Sequence, residues 1–154
     1  MFRINALVKV SGDVFANPGF IQWVGKLARA RHVVICVGGG TQIKEEYTRL
    51  GWDANNFGPM GRETKTPEER EVADTVLRSN QANLKQVLGL SKINASVVVP
   101  SLYIAGVCCP VNGDQYVLTC YLGFDELYVA TLPERLERKR EQFAKYPKIK
   151  VQAF

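Results

Sequence analysis

Apolar positions fall into two rhythms along this chain. Ile4–Val10 (INALVKV) and Val33–Val37 (VVICV) are short apolar runs with little alternation. That is the pattern of strands covered on both faces in a parallel sheet. Elsewhere the spacing changes to three and four. Pro18 opens a helix, PGFIQWVGKLARA, with Phe20, Ile21, Val24, Leu27 and Ala28 on one side. A second helix is predicted from about Thr41 to Leu50 and a third from Pro67 to about Leu88. Thr66-Pro67-Glu68-Glu69 starts the third with a capping hydroxyl, a proline at the first position and acids in the first turn. Ala73, Val76, Leu77, Leu84, Val87 and Leu88 share one of its faces, and Asn80 falls among them. A buried Asn must find hydrogen-bond partners, in the protein or in a ligand. Short strands are predicted at 95–99 and 105–109, around Pro100. Asn112-Gly113-Asp114 turns into a helix ending near Leu122. Glu126–Thr131 is a strand, Pro133–Lys145 a helix, and Ile149–Val151 a final strand. Residues 51–66, rich in glycine and asparagine, read as a long irregular loop of the kind that often binds ligands.

Strands alternating with helices imply an α/β fold: a three-layer α/β/α sandwich with a mainly parallel sheet and right-handed crossovers. The 154 residues, 46% hydrophobic and 23% charged, suit one domain, 1–154, with an ordinary core. No apolar stretch approaches the roughly 20 residues of a membrane span, so no membrane partner is expected. The N-terminal MFRINALVKV has too short an apolar part, interrupted by Lys9, for a signal peptide. Cys36, Cys108, Cys109 and Cys120 show no metal spacing and no CxxC. They read as reduced core thiols of a cytoplasmic protein. The net charge of +5 sits mostly in residues 133–154, with seven Lys or Arg against three Glu. No aromatic-rich basic platform accompanies that charge, so nucleic acid is not the expected partner.

The chemistry gathers where strands end. VVICV runs straight into Gly38, Gly39 and Gly40, with Thr41 opening a helix behind them. Strand, bare backbone and helix N-terminus make an anion site, although three glycines also suit a plain tight turn. In a parallel sheet, ligands collect at the C-terminal strand ends. Lys9 to Gly12, Gly38 to Thr41, Asn112 to Asp114 and Thr131 all fall there. A lysine, an amide nest and a carboxylate on one crevice suit phosphoryl transfer, which needs positioning and charge neutralisation. Lys9 would neutralise phosphate oxygens, the amides of Gly12, Gly39 and Gly40 would donate to them, and Asp114 would orient Lys9 or hold Mg²⁺. Equally, Lys9 could face solvent and Asp114 merely cap its helix. GGGTQI is not G-x-G-x-x-G, and no G-x-x-x-x-G-K-[ST] occurs, which argues against a dinucleotide fold and a P-loop enzyme.

LVKVSGD, VVICVGGGTQI and VNGDQYVLTCYLGFDELYVAT, in this order and spacing, resemble the N-terminal half of the amino-acid kinase superfamily. Its members include acetylglutamate, carbamate, aspartate and uridylate kinases. The resemblance implies the three-layer sandwich and phosphoryl transfer from ATP, with Mg²⁺, to a carboxylate, a carbamate or a nucleoside monophosphate. It implies that Lys9 is the phosphate-binding lysine, with Gly12 its companion. Gly38, Gly39 and Gly40 would be the loop between acceptor and transferred group, and Asp114 the aspartate that organises the catalytic lysines. Gly61-Arg62-Glu63-Thr64 is similar to the acetylglutamate kinase loop whose arginine holds the substrate carboxylate. Together with Thr41 and Asn112 these residues form the expected site. Members of the family continue into a nucleotide-binding region with a second catalytic lysine, whereas TLPERLERKREQF follows Thr131 here. Lys139 could stand in for the second lysine, but its setting in a basic helix gives no support for that role. A partner subunit completing the site, a donor other than an ordinary nucleotide, and loss of kinase activity all fit this departure. A catalytically inactive ligand-binding or oligomeric interaction module is therefore the alternative to a kinase. Apolar residues to spare on the 67–88 helix point to a homo-oligomer.

Overall fold

The computed structural model describes residues 3–154; Met1 and Phe2, the head of the N-terminal stretch weighed above, lie outside it. The two longest apolar runs pair in the middle of the molecule. Strand β1 (Ile4–Val10) lies parallel to β2 (Arg31–Val37), joined by helix α1 (Pro18–Ala30). Asn17 starts α1 by accepting the Gly19 and Phe20 amides on its side-chain oxygen, and Pro18 occupies the first turn. Helices α2 (Gly40–Arg49) and α3 (Pro67–Leu90) follow, then β5 (Ser96–Val98) on the outer side of β2. Thr66 caps α3 through the Glu69 amide, as its sequence indicated. The chain then crosses to the other side of β1. Helix α4 (Gly113–Thr119) leads to β8 (Glu126–Thr131), and α5 (Leu136–Gln142) leads to the edge strand β9 (Ile149–Ala153). The sheet is five-stranded and parallel, in the order β5-β2-β1-β8-β9.

Strand parity divides the core in two. Ala6, Val8 and Val10 of β1, Val33, Ile35 and Val37 of β2, and Tyr128 and Ala130 of β8 pack against α1, α2 and α3. Leu7, Cys36, Leu127 and Val129 face the opposite way, against Val117 of α4 and Phe143 beyond α5. The result is the expected three-layer α/β/α sandwich. Val8, Val10, Val33, Ile35 and Val37 are fully buried, each worth roughly 1.5–3 kcal/mol of apolar transfer.

Several boundaries differ from the sequence reading, each for a local reason. The predicted strand 105–109 is instead half of a hairpin. Strand β6 (Ser101–Ile104) and strand β7 (Val107–Pro110) pair antiparallel outside the main sheet, turning at Ala105-Gly106. Both turn residues have positive φ, 47° and 81°, the geometry of a two-residue hairpin turn that favours Asn-Gly. Alanine there hid the signal. The Tyr103 hydroxyl donates to Asp74 Oδ2 at 2.9 Å and ties the hairpin to α3. The loop 51–66 contains a second small hairpin, β3 (Phe57–Gly58) with β4 (Gly61–Arg62). The helix expected over 133–145 is a 3₁₀ turn at Pro133–Arg135 followed by the shorter α5, 3₁₀ turns being frequent at helix N-termini. The α4 helix stops at Thr119, short of Leu122. Of the four cysteines taken for core thiols, Cys36 is fully buried, whereas Cys108, Cys109 and Cys120 are half-buried on the hairpin and on the end of α4. No helix among the described residues is long and apolar enough to cross a membrane.

The hairpin turn supplies a direct test. Ala105→Asn replaces a strained left-handed alanine with a residue that tolerates this conformation. It should stabilise the fold by about 0.5–1 kcal/mol, read as a rise of roughly 1–3 °C in Tm.

Candidate functional site

The C-terminal end of β1 lies where successive connections leave the sheet in opposite directions, β2 to one side and β8 to the other. Parallel α/β sheets open a crevice at such a point. Here it is a cavity of about 230 Å³, just below the roughly 300–1,000 Å³ of common ligand pockets. All nine residues expected from the sequence line it: Lys9, Gly12, Gly38, Gly39, Gly40, Thr41, Arg62, Asn112 and Asp114.

Register decides where Lys9 points. It pairs with Cys36 on one side and Val129 on the other, so its parity sends it to the α4/α5 layer. Its carbon chain runs past Gly113, where an added Cβ would meet Lys9 Cε at 2.7 Å. The ammonium ends 3.5 Å from Asp114 Oδ1. The other oxygen, Oδ2, accepts from Lys139 Nζ and, at 3.1 Å, from Gln142 Nε2. All three charged side chains are nearly buried, with 12%, 9% and 13% exposure for Lys9, Asp114 and Lys139. Burial alone would raise the Asp114 carboxyl, but Lys9 and the bond from Lys139 outweigh it and hold the group below its ordinary value. Lys139 is also lowered: burial acts first, Asp114 opposes it, and Lys9 and Arg138 add to the lowering. One carboxylate shared by two ammonium groups leaves a surplus cation, and the surplus faces the cavity. Asp114 Oδ1 is buried with no hydrogen-bond partner, and so is Ser11 Oγ. Both residues line the cavity.

The glycine loop forms the opposite lip. Gly39 precedes α2 and no side chain caps that helix, so its first amides remain for another acceptor. The loop is held from behind. Asn80 Nδ2 donates to the Gly38 carbonyl at 2.9 Å, and Gln42 Nε2 donates to the Gly12 carbonyl at 3.1 Å. An added Cβ at Gly12 would come within 2.1 Å of Gln42 Oε1, so a larger residue there would push the Gln42 side chain from its place on the Gly12 carbonyl. Asn80 is thus the satisfied interior polar group, fastened to the loop rather than to the cavity.

The remaining expected residues have partners of their own. Thr41 Oγ1 donates to Asp13 Oδ2 at 2.9 Å, and Arg135 Nη1 lies 3.5 Å from the same oxygen. Asn112 Oδ1 caps α4 through the Asp114 amide. Arg62 gives Nη1 to the Ala54 carbonyl at 2.5 Å and Nη2 to the Gly40 carbonyl at 3.2 Å, and its guanidinium sits over Phe57 and Tyr47. Burial lowers its pKa, with Tyr47 opposing. Arg62 therefore braces the start of α2, and much of its fork is already committed.

Sequence reasoning passed over Ser11, Asp13 and Arg135. The first two flank Gly12 in the VSGD stretch and could have been read with it. Arg135 and the contact of Lys139 with Asp114 left no trace in the sequence, since they depend on the chain after β8 folding back across the strand ends. The cavity lining carries four cations, Lys9, Arg62, Arg135 and Lys139, against Asp13 and Asp114. Such a surplus in a partly dry cleft attracts anions. Cys36, beside Lys9, is no nucleophile: burial pushes its thiol up to about 12, against a smaller pull from Lys9. The described residues hold no cluster of three or more His, Cys, Asp or Glu that could bind a metal. The chain matches no family model and no curated protein, so the chemistry of this cavity has to speak for function.

Asp114 is the keystone of the charges. Asp114→Asn would leave two nearly buried ammonium groups without their counter-ion, and should cost about 3–5 kcal/mol in urea unfolding at neutral pH. Lys139→Met should cost clearly less, because Lys9 still balances the carboxylate. In the wild type, a carboxyl held low in the fold stabilises it above the unfolded value of 3.8 and loses that contribution as pH falls through the folded pKa. Acid unfolding below about pH 4 should therefore be steeper in wild type than in Asp114→Asn.

Proposed function

We propose that this protein binds a small anion at the glycine loop and acts as a phosphotransferase of the amino-acid kinase type. The observation that carries this is the pairing of Lys9 and Lys139 on one buried carboxylate, beside the uncapped start of α2. Two cations and a row of free amides across a small cleft are the equipment for a phosphoryl group whose charge spreads as it moves. In this reading Lys9 and Lys139 neutralise that charge, and Asp114 fixes both ammonium groups in place. The Gly39 to Thr41 amides hold the oxygens on the opposite side. The acceptor is an anionic carboxylate, carbamate or monophosphate.

The donor set fits the phosphate end of ATP. It fits a resident Mg²⁺ less well, because Asp114 is committed to two lysines and Asp13 to Thr41 and Arg135. Magnesium would therefore arrive on the nucleotide, as it commonly does. ATP, when bound, supplies the phosphoryl group; the chain's own residues supply charge and position. The four free cysteines agree with a cytoplasmic setting.

One observation favours binding without turnover as the second reading. A cavity of about 230 Å³ is small for two reactants at once. Association of copies belongs to either reading. Val72 and Val76 of α3 pack on the core, whereas Leu90 at its end and Leu102, Ile104 and Val107 of the hairpin are exposed. Light scattering should show a homo-oligomer that Ile104→Asp weakens; a monomeric wild type would remove this part of the reading.

ATP·Mg or a small phosphorylated acid should raise Tm by several degrees, and Lys9→Ala should abolish the rise. A Cβ at Gly40 meets nothing within 4 Å, so Gly40→Val should fold normally and also lose the shift. Transfer from labelled ATP to a panel of small carboxylates and monophosphates then decides between kinase and binding module. Absence of any shift with every phosphate compound would overturn both.

A further inference from the structure

The two ends of the cavity differ in kind, and the difference traces to the sheet. Parity sends Lys9 towards α4 and α5, where Asp114 and Lys139 wait. The cavity also reaches over the α2/α3 layer, and there its wall is hydrocarbon. Ile43 and Leu77 reach it from the main core, with Ala73 beside them. Phe57 and Met60, from the small hairpin of β3 and β4, close the same side. They are 60% and 68% exposed, with open surface facing the cavity's mouth. Polar side chains on this wall are few. Thr41 is bonded to Asp13 and Arg62 to two backbone carbonyls, which leaves Thr64. An acceptor rich in hydroxyl or amino groups would lose its water here and find little to replace it.

We propose that the guest of this site is an amphiphile: a compact anionic head, phosphate or carboxylate, on an apolar body of a few carbons. The head meets Lys9, Lys139 and the amides at the start of α2. The body lies over Ile43 and Leu77, under Phe57 and Met60. Discrimination between acceptors then comes from hydrocarbon surface and not from hydrogen bonds at the far end. This rests on the anion site described above and adds the nature of what the anion is attached to.

The test is a chain-length series on the intact protein, by calorimetry, with inorganic phosphate and then methyl, propyl and butyl phosphate. Acetate, butyrate and hexanoate form a parallel arm that reports which head is preferred. Affinity should rise about fourfold for each methylene that becomes buried, and Met60→Gln should lessen that rise. Lys9→Ala should remove binding of every member. If inorganic phosphate and acetate both fail to bind at millimolar concentration, the anion site and this inference fall together. If they bind but affinity stays flat along both series, the anion site stands and the apolar body is refuted. A rise along either series supports it.

Discussion

One carboxylate between two ammonium groups governs this molecule. Asp114 lies at the start of α4, Lys9 near the end of the central strand, and Lys139 on α5. The three elements are far apart in sequence, and their charges meet in a space largely shut off from water. Removing any charged group from water is costly, so the cluster persists only because each member has a partner. Its composition is also asymmetric. Two cations share one anion, and the surplus makes the cavity favourable to something negative. Structure and chemistry therefore rest on the same contact.

The glycine loop answers that contact from across the cleft by another means. It offers no charge, only amides at the unpaired start of α2, and amides aim well only if the backbone is still. Asn80 and Gln42 provide the stillness from behind, each holding a carbonyl of a segment that borders the cavity. Arg62 does the same from the side, with one hydrogen bond to Ala54 and one to Gly40. A residue type usually counted as an anion ligand is here spent largely on bracing the loop that would hold the anion.

The division of the cavity into a charged end and an apolar end follows from the pleat of β1. Val8 and Val10 face α1 to α3, while Lys9 between them faces the other layer. At the strand ends both layers open onto one space, so the cavity inherits hydrocarbon from one and ammonium from the other. No residue had to be added for this; it is what a parallel sheet does when a lysine interrupts an apolar run near the end of its central strand.

Periodicity and punctuation alone determined most of the layout. Unbroken apolar runs marked β1 and β2, helical spacing marked α1 and α3, and Thr66-Pro67 and Pro18 marked two helix starts, because these signals act within a turn or two of chain. They also placed Lys9 and the three glycines at the same edge, since in a parallel sheet strand direction alone assigns an end; Asp114 reaches that edge from a hairpin outside the sheet and not from a strand end within it. What sequence could not carry was anything that depends on one segment returning to another. The hairpin at Ala105-Gly106 escaped because alanine gives no turn signal. The contacts of Lys139 with Asp114 and of Arg135 with Asp13 escaped because nothing local records that the chain after β8 folds back over the strand ends. Asn80 could be read as ligand or as interior, and only its distance to the Gly38 carbonyl decided. Tertiary structure settled these points because hydrogen bonds and charge pairing act through space over a few ångströms, whatever the separation along the chain.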